Sequence, residues 1–160
     1  TVDSVPGQGS AFNVYLPVID HASEVEAATQ VNNPPQKGNE RILLVDDEEA
    51  IIQMERRMLE RLGYQLTAFS NSKRALERFQ TEPDAFDLVI TDLTMPNLTG
   101  EKLAEEFLKI RHDIPIIMCT GFAEKISWDL AMTIGIKALL IKPVKLREIS
   151  NEIRAVLDAR

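Results

Sequence analysis

Leu88-Val89-Ile90-Thr91-Asp92-Leu93-Thr94-Met95-Pro96-Asn97-Leu98-Thr99-Gly100 is the stretch whose reading decides the fold. An apolar run ends on one acid; Met-Pro and then Gly follow. A parallel strand covered on both faces reads as such a continuous Val/Ile/Leu run. Asp92 then stands where the strand leaves the sheet, at the carboxyl edge, where open α/β folds bind ligands. Pro96 cannot continue a ladder, and Gly100 eases the backbone into a helix from Glu101. Taken alone, Asp92 reads equally well as a loop cap. The endings of the other apolar runs decide between the two.

Working outward, strands alternate with helices from Glu40 onward. Ile42 to Val45 is a short apolar strand ending on Asp46-Asp47. Glu49 to Leu62 reads as a helix, with Ile51, Ile52, Met58, Leu59 and Leu62 at helical spacing and Gly63 as its stop. Gln65 to Phe69 is the next strand, and Ser72 to Gln80 a short helix with Ala75, Leu76 and Phe79 inward. Leu88 to Thr91 is the third strand. A helix over Glu101 to Ile110 follows, with Leu103, Ala104, Phe107 and Leu108 on its apolar face. Ile114 to Cys119 is the fourth strand, ending on Thr120-Gly121. Ala123 to Thr133 reads as a looser helix. Ala138 to Ile141 is the fifth strand, ending on Lys142-Pro143, and Leu146 to Leu157 the last helix. Strict alternation predicts an α/β fold: a doubly wound, five-stranded parallel sheet in the flavodoxin-like order 2-1-3-4-5.

Upstream the pattern is different. Residues 1 to 19 read as a β-hairpin: Val2 to Val5 extended, Pro6-Gly7-Gln8-Gly9 as turn, and Ala11 to Val18 alternating, with Phe12, Val14 and Leu16 on one face. A lone hairpin is marginal in water, so that face needs a partner. Residues 20 to 39, ending in Asn32-Asn33-Pro34-Pro35-Gln36-Lys37-Gly38-Asn39, read as a linker. Residues 40 to 160 form the α/β domain.

Composition narrows the function classes. Hydrophobic content of 44% and charged content of 27% describe a soluble globular chain. A net charge of −7 argues against a nucleic-acid surface, which needs a basic patch. No apolar run approaches the ~20 residues of a membrane span, so no membrane contact is expected of this stretch. The single Cys119 lies inside Ile116-Ile117-Met118-Cys119 and reads as a buried, inert thiol. A cytoplasmic setting fits, whatever anchors a longer parent. The start, Thr1-Val2-Asp3-Ser4, reads as the interior of something longer.

The strand endings, taken together, carry the chemistry. The order 2-1-3-4-5 brings Asp46-Asp47, Asp92, Thr120 and Lys142 to one end of the sheet. Each has a bland reading by itself, since acids and Thr cap helices and Lys is usually solvated. Their joint placement at successive carboxyl ends favours a site. Three carboxylates in one cup repel unless a cation joins them, and Mg²⁺ prefers carboxylate and carbonyl oxygen. Asp46 and Asp47 supply such a site and Asp92 completes it. A carboxylate can also attack phosphorus and form an aspartyl phosphate. Lys142 would then pair with one phosphoryl oxygen, and the Thr120 hydroxyl with another.

These motifs resemble the receiver domain of two-component response regulators. They are Leu44-Val45-Asp46-Asp47-Glu48, Asp92-Leu93-Thr94-Met95-Pro96 with Gly100, Thr120-Gly121 and Lys142-Pro143. The resemblance implies that Asp92 accepts a phosphoryl group from a phosphohistidine, on the donor kinase or on a histidine phosphotransfer protein. It implies that Asp47, Asp92 and the Thr94 carbonyl bind Mg²⁺, or Mn²⁺ in its place, with Asp46 acting mainly through water. It also implies a cis Lys142-Pro143 bond. Ser4-Val5-Pro6-Gly7-Gln8-Gly9-Ser10-Ala11-Phe12 resembles the closing strands of the ATP-binding domain of sensor histidine kinases. That family's nucleotide motifs are absent, so ATP binding is not expected. Together the two resemblances imply the C-terminal receiver of a hybrid sensor histidine kinase. The stretch itself has no kinase core and serves as phosphoacceptor.

Two features qualify that reading. Leu139 stands where many receivers carry an aromatic switch residue. Thr94 and Phe122 offer no carboxylate or amide to orient water, which implies a long-lived phosphoryl group. A haloacid-dehalogenase-type hydrolase would need an acid where Thr94 stands, and flavin phosphate would be repelled by the acidic cup. A phosphorylation-independent interaction module stays as the alternative. His21 and His112 read as solvated, and Trp128 as a candidate partner contact.

Overall fold

A computed structural model describes residues 1–15, 34–121 and 128–159. The chain divides into two compact units, Thr1–Asn33 and Pro34–Arg160.

In the first unit, β1 (Val2–Val5) pairs antiparallel with β2 (Gly9–Phe12). Gly7 at φ +79° and Gly9 at φ +95° make the turn, a conformation that costs glycine little. The second strand is shorter than the expected Ala11 to Val18: it starts at Gly9, and Asn13 to Tyr15 already lie outside the ladder. Val2, Val5 and Phe12 are exposed, as four paired residues per strand can bury little. Leu16 to Val18 and His21 lie outside the described residues.

In the second unit the expected sheet is present. Its strands are β3 (Arg41–Val45), β4 (Gln65–Phe69), β5 (Leu88–Asp92), β6 (Ile116–Thr120) and β7 (Ala138–Ile141). They run parallel in the order β4-β3-β5-β6-β7, which is 2-1-3-4-5 within the domain. The helices are α1 (Glu49–Arg61), α2 (Ser72–Thr81), α3 (Gly100–Ile110), α4 (Trp128–Ile134) and α5 (Leu146–Asp158). The Asn71 side chain accepts from the Lys73 and Arg74 N–H groups and caps α2.

The period of two along each strand sorts the core into two layers. Ile42, Leu44, Leu88, Ile90, Ile117 and Leu140 turn toward α1 and α5, meeting Ile52, Leu59, Ile149 and Ile153. Leu43, Val45, Val89, Ile116 and Met118 turn the other way, toward Phe79 of α2, Phe107 of α3 and Ala131 of α4. The Phe79 and Phe107 rings lie 4.5 Å apart. A side chain of this size contributes roughly 1.5–3 kcal/mol when fully buried.

Strand β6 begins at Ile116, not Ile114. Pro115 has no N–H for the ladder and contributes only its carbonyl, which accepts from Val89 N–H at 3.0 Å. Residues 34–39, the end of the expected linker, lie against the domain. Gln36 N–H donates to Ser150 Oγ at 3.1 Å, and Gly38 N–H to the Leu62 carbonyl at 3.0 Å. Arg154 of α5 pairs with Glu40 at 2.5 Å.

Candidate functional site

Each candidate side chain is placed by the strand it ends. Val45 registers with Phe69 on one side and Thr91 on the other, so Asp46 and Asp92 leave the sheet side by side. Asp92 registers with Cys119, and Thr120 with Ile141, which puts Lys142 one step beyond. Lys142 N–H donates to the Thr120 carbonyl at 2.8 Å, continuing the ladder past β7. The Lys142–Pro143 peptide is cis, as the resemblance implies.

The side chains of Asp46, Asp92 and Lys142 meet directly. The Lys142 ammonium lies 2.6 Å from Asp46 Oδ2 and 2.5 Å from Asp92 Oδ1. Asp46 is 2% exposed and Asp92 7%, so both carboxylates are withdrawn from water. Burial alone would lower the Lys142 pKa. The hydrogen bonds to Asp46 and Asp92 outweigh it and hold the ammonium above the ordinary lysine value. The remaining oxygens are also used. Asp46 Oδ1 accepts from Glu48 N–H at 2.8 Å, and Asp92 Oδ2 from Thr94 N–H at 2.7 Å. Thr120 is 3% exposed at the end of β6. Asp47 and Thr94 lie exposed at the mouth. Among the described residues, no three acidic, His or Cys side chains converge as a metal cluster; the ammonium bridges the two buried acids instead.

Gly100 is required by this arrangement. Its N–H donates to the Leu93 carbonyl at 2.9 Å, drawing the start of α3 onto the end of β5. A Cβ there would stand 2.1 Å from the Asp92 carbonyl oxygen, which is rigid backbone. Gly100→Ala is expected to cost about 1–3 kcal/mol, the usual range for overpacking. A drop in the urea midpoint at unchanged slope would show it; an unchanged midpoint would refute it.

One site neighbour escaped the sequence reading. Glu55 lies on α1 between Ile52 and Leu59, on the face turned to the sheet, and is 2% exposed. Burial, and then the charge of Asp46, push its carboxyl up to about 7, with Lys142 pulling the other way. An acid at i+3 from Ile52 and i−4 from Leu59 was the available signal. Cys119 is a free, buried thiol, pushed well up by burial, as expected of an inert one. Leu139 is half-buried against the α2–α4 layer. His112 is exposed. Phe122 lies outside the described residues, and so does the side chain of Trp128.

Residues 42–154 match the response regulator receiver domain family. The response regulator receiver protein CpdR of Brucella abortus is 38% identical over 74% of this chain and 98% of its own length. The sensor kinase CckA of the same organism is 27% identical over 98% of this chain and 17% of its own length. Of several other curated relatives this chain spans about half the length or less. Among solved structures, a response regulator receiver domain protein from Clostridium thermocellum superposes with a TM-score of 0.71. It is 32% identical and covers 75% of this chain and 95% of that one.

Proposed function

This chain belongs to the response regulator receiver family, and from that premise we propose that it is the phosphoacceptor of a two-component phosphorelay, with Asp92 as the accepting residue. The observation that supports this most directly is the Lys142 ammonium held between buried Asp46 and Asp92. In the transfer, an Asp92 oxygen attacks the phosphorus of a phosphohistidine in line with the leaving nitrogen. A P–O bond forms and the P–N bond breaks. The imidazole nitrogen leaves with the electron pair and takes a proton from solvent. The product is an acyl phosphate on Asp92. Lys142 exchanges its carboxylate partner for a phosphoryl oxygen, and the Thr120 hydroxyl donates to another.

The donor set suits a hard divalent cation. It is all oxygen, and its carboxylates outnumber the single ammonium. Asp47 and Asp92 with the Thr94 carbonyl would hold Mg²⁺, or Mn²⁺ in its place, and Asp46 would reach it through water. When bound, the ion supplies neutralising charge for the phosphoryl oxygens. Incubation with acetyl phosphate and Mg²⁺ is expected to add the mass of one phosphoryl group to the intact chain. Prior chelation with EDTA is expected to remove most of that gain. No gain under either condition would turn the reading to a phosphorylation-independent interaction module.

We also propose a hybrid sensor histidine kinase as the parent. Residues 1–19 would close the kinase ATP-binding domain, 20–39 would link, and 40–160 would receive. Support comes from the likeness to CckA, which runs through nearly the whole chain. The donor would be that kinase's own phosphohistidine or a partner's, with a histidine phosphotransfer protein as a further exchange partner. Among the described residues, no helix is long and apolar enough to cross a membrane.

A further inference from the structure

A second cavity lies along the same edge of the sheet, and its chemistry is opposite to that of the acidic cup. It has a volume of about 300 Å³ and sits between α1 and the turn joining β4 to α2. Gln53 and Arg56 line it from α1, and Ser70, Asn71 and Arg74 from the turn and the start of α2. Glu49 also borders it and brings one negative charge, its Oε1 accepting from Gln53 Nε2 at 3.0 Å; the two arginines outnumber it. Neither Arg56 nor Arg74 makes an ion pair among the described residues. Arg56 Nε is moreover a buried donor with no hydrogen-bond partner among them. Arg56 is half-buried and Arg74 exposed, so two guanidinium charges without an acidic partner border the cavity.

The donors outnumber what a carboxylate can accept. Two guanidinium forks, the Ser70 hydroxyl and the Asn71 amide N–H₂ all border the cavity, while the Asn71 oxygen is engaged in capping α2. A phosphomonoester presents three terminal oxygens, and arginine forks match their geometry. The volume exceeds the needs of a bare phosphate ion and lies at the lower end of the range for small-molecule pockets. Ile52, Ala68 and Phe69 supply apolar wall for an organic remainder. We propose that this cavity binds a small phosphomonoester. Its recognition would come from Arg56 and Arg74, independently of any phosphoryl group on Asp92. The two sites share a wall all the same: Asp46 N–H donates to the Phe69 carbonyl at 3.3 Å.

Titration calorimetry on the full chain in EDTA, where the acidic cup holds no metal, provides the test. The probes are inorganic phosphate, phenyl phosphate and acetate. Phenyl phosphate is expected to bind saturably and severalfold tighter than inorganic phosphate, and acetate not measurably. Arg56→Gln and Arg74→Gln are each expected to weaken phenyl phosphate at least about tenfold, the usual effect of losing a charge-assisted hydrogen bond. Arg56→Lys keeps the charge but loses the fork, and is expected to weaken binding while the unliganded chain melts as before. Asp92→Asn is expected to bind like the parent chain. The proposal fails if no phosphate probe binds saturably, if acetate binds as well as phenyl phosphate, or if both glutamine variants bind as the parent does. A loss confined to Asp92→Asn would assign the binding to the acidic cup and overturn the proposal equally.

Discussion

Asp92→Asn is expected to gain no mass from acetyl phosphate and Mg²⁺ under conditions that load the parent chain. An amide oxygen is a far weaker nucleophile than a carboxylate oxygen and forms no stable acyl phosphate. The change is otherwise small. The amide oxygen can still accept from Thr94 N–H, the bond that now measures 2.7 Å. Lys142 keeps its 2.6 Å partner in Asp46, so the ammonium stays charged and in place. The variant is therefore expected to fold with the parent's circular dichroism spectrum. A variant loaded to the parent's level would move the acceptor to another carboxylate, Asp46 or Asp47 first. That outcome would sink the assignment of Asp92 while leaving the family intact.

Glu55→Gln is expected to stabilise the protein at pH 8, by about 3 kcal/mol at most, and to leave it nearly unchanged at pH 4.5. The sign follows from the raised carboxyl. In the unfolded chain Glu55 ionises near its ordinary value of 4.5; in the folded chain it ionises at about 7. Below pH 4.5 both states hold the proton and the group contributes nothing. Between pH 4.5 and 7 the unfolded chain releases it and the folded chain does not, so stability falls as pH rises. Above pH 7 the penalty is constant. A gap of about 2.5 pKa units corresponds to roughly 3 kcal/mol. The amide removes the titration, so the difference between variant and parent should open across that window. Urea unfolding in metal-free buffer at pH 4.5, 6 and 8 measures it. A difference that is the same at all three values would mean that Glu55 is solvated, not held against Asp46 and Asp92.

The two results concern different layers of the same site. Asp92 lies inside the cup, where the proposed transfer would take place. Glu55 lies behind it, within the α1–sheet layer, where its charge adds to a cluster already short of cations. A neutral Glu55 lessens the repulsion among the acids; an ionised one adds to it.

The local code of the chain accounts for most of its architecture. Gln65–Phe69 lies between Gly63 and Ser70-Asn71, and it is the strand expected from those punctuation residues. Gly63 at φ +99° ends the turn after α1. The alternation of Ile42, Leu43, Leu44 and Val45 between two apolar layers required helices on both faces of the sheet, and the order 2-1-3-4-5 followed from the connections. Where the local code placed the start of β6 too early, a missing backbone donor was the cause: Pro115 lies in an apolar run but has no N–H to pair.

Tertiary structure decided what those residues do to each other. Lys142 and Asp46 are 96 positions apart, and no local pattern shows whether the ammonium bridges two acids or points to solvent. Glu55 looked like one more charge on an amphipathic helix until the sheet closed over it. Arg56 and Arg74 belong to different helices, and only packing makes them line one cavity. Hydrophobic periodicity and turn residues act over a few positions, so they are written into the chain one segment at a time. Charge pairing and desolvation act through space, and exist only once distant segments have been brought within a few ångström.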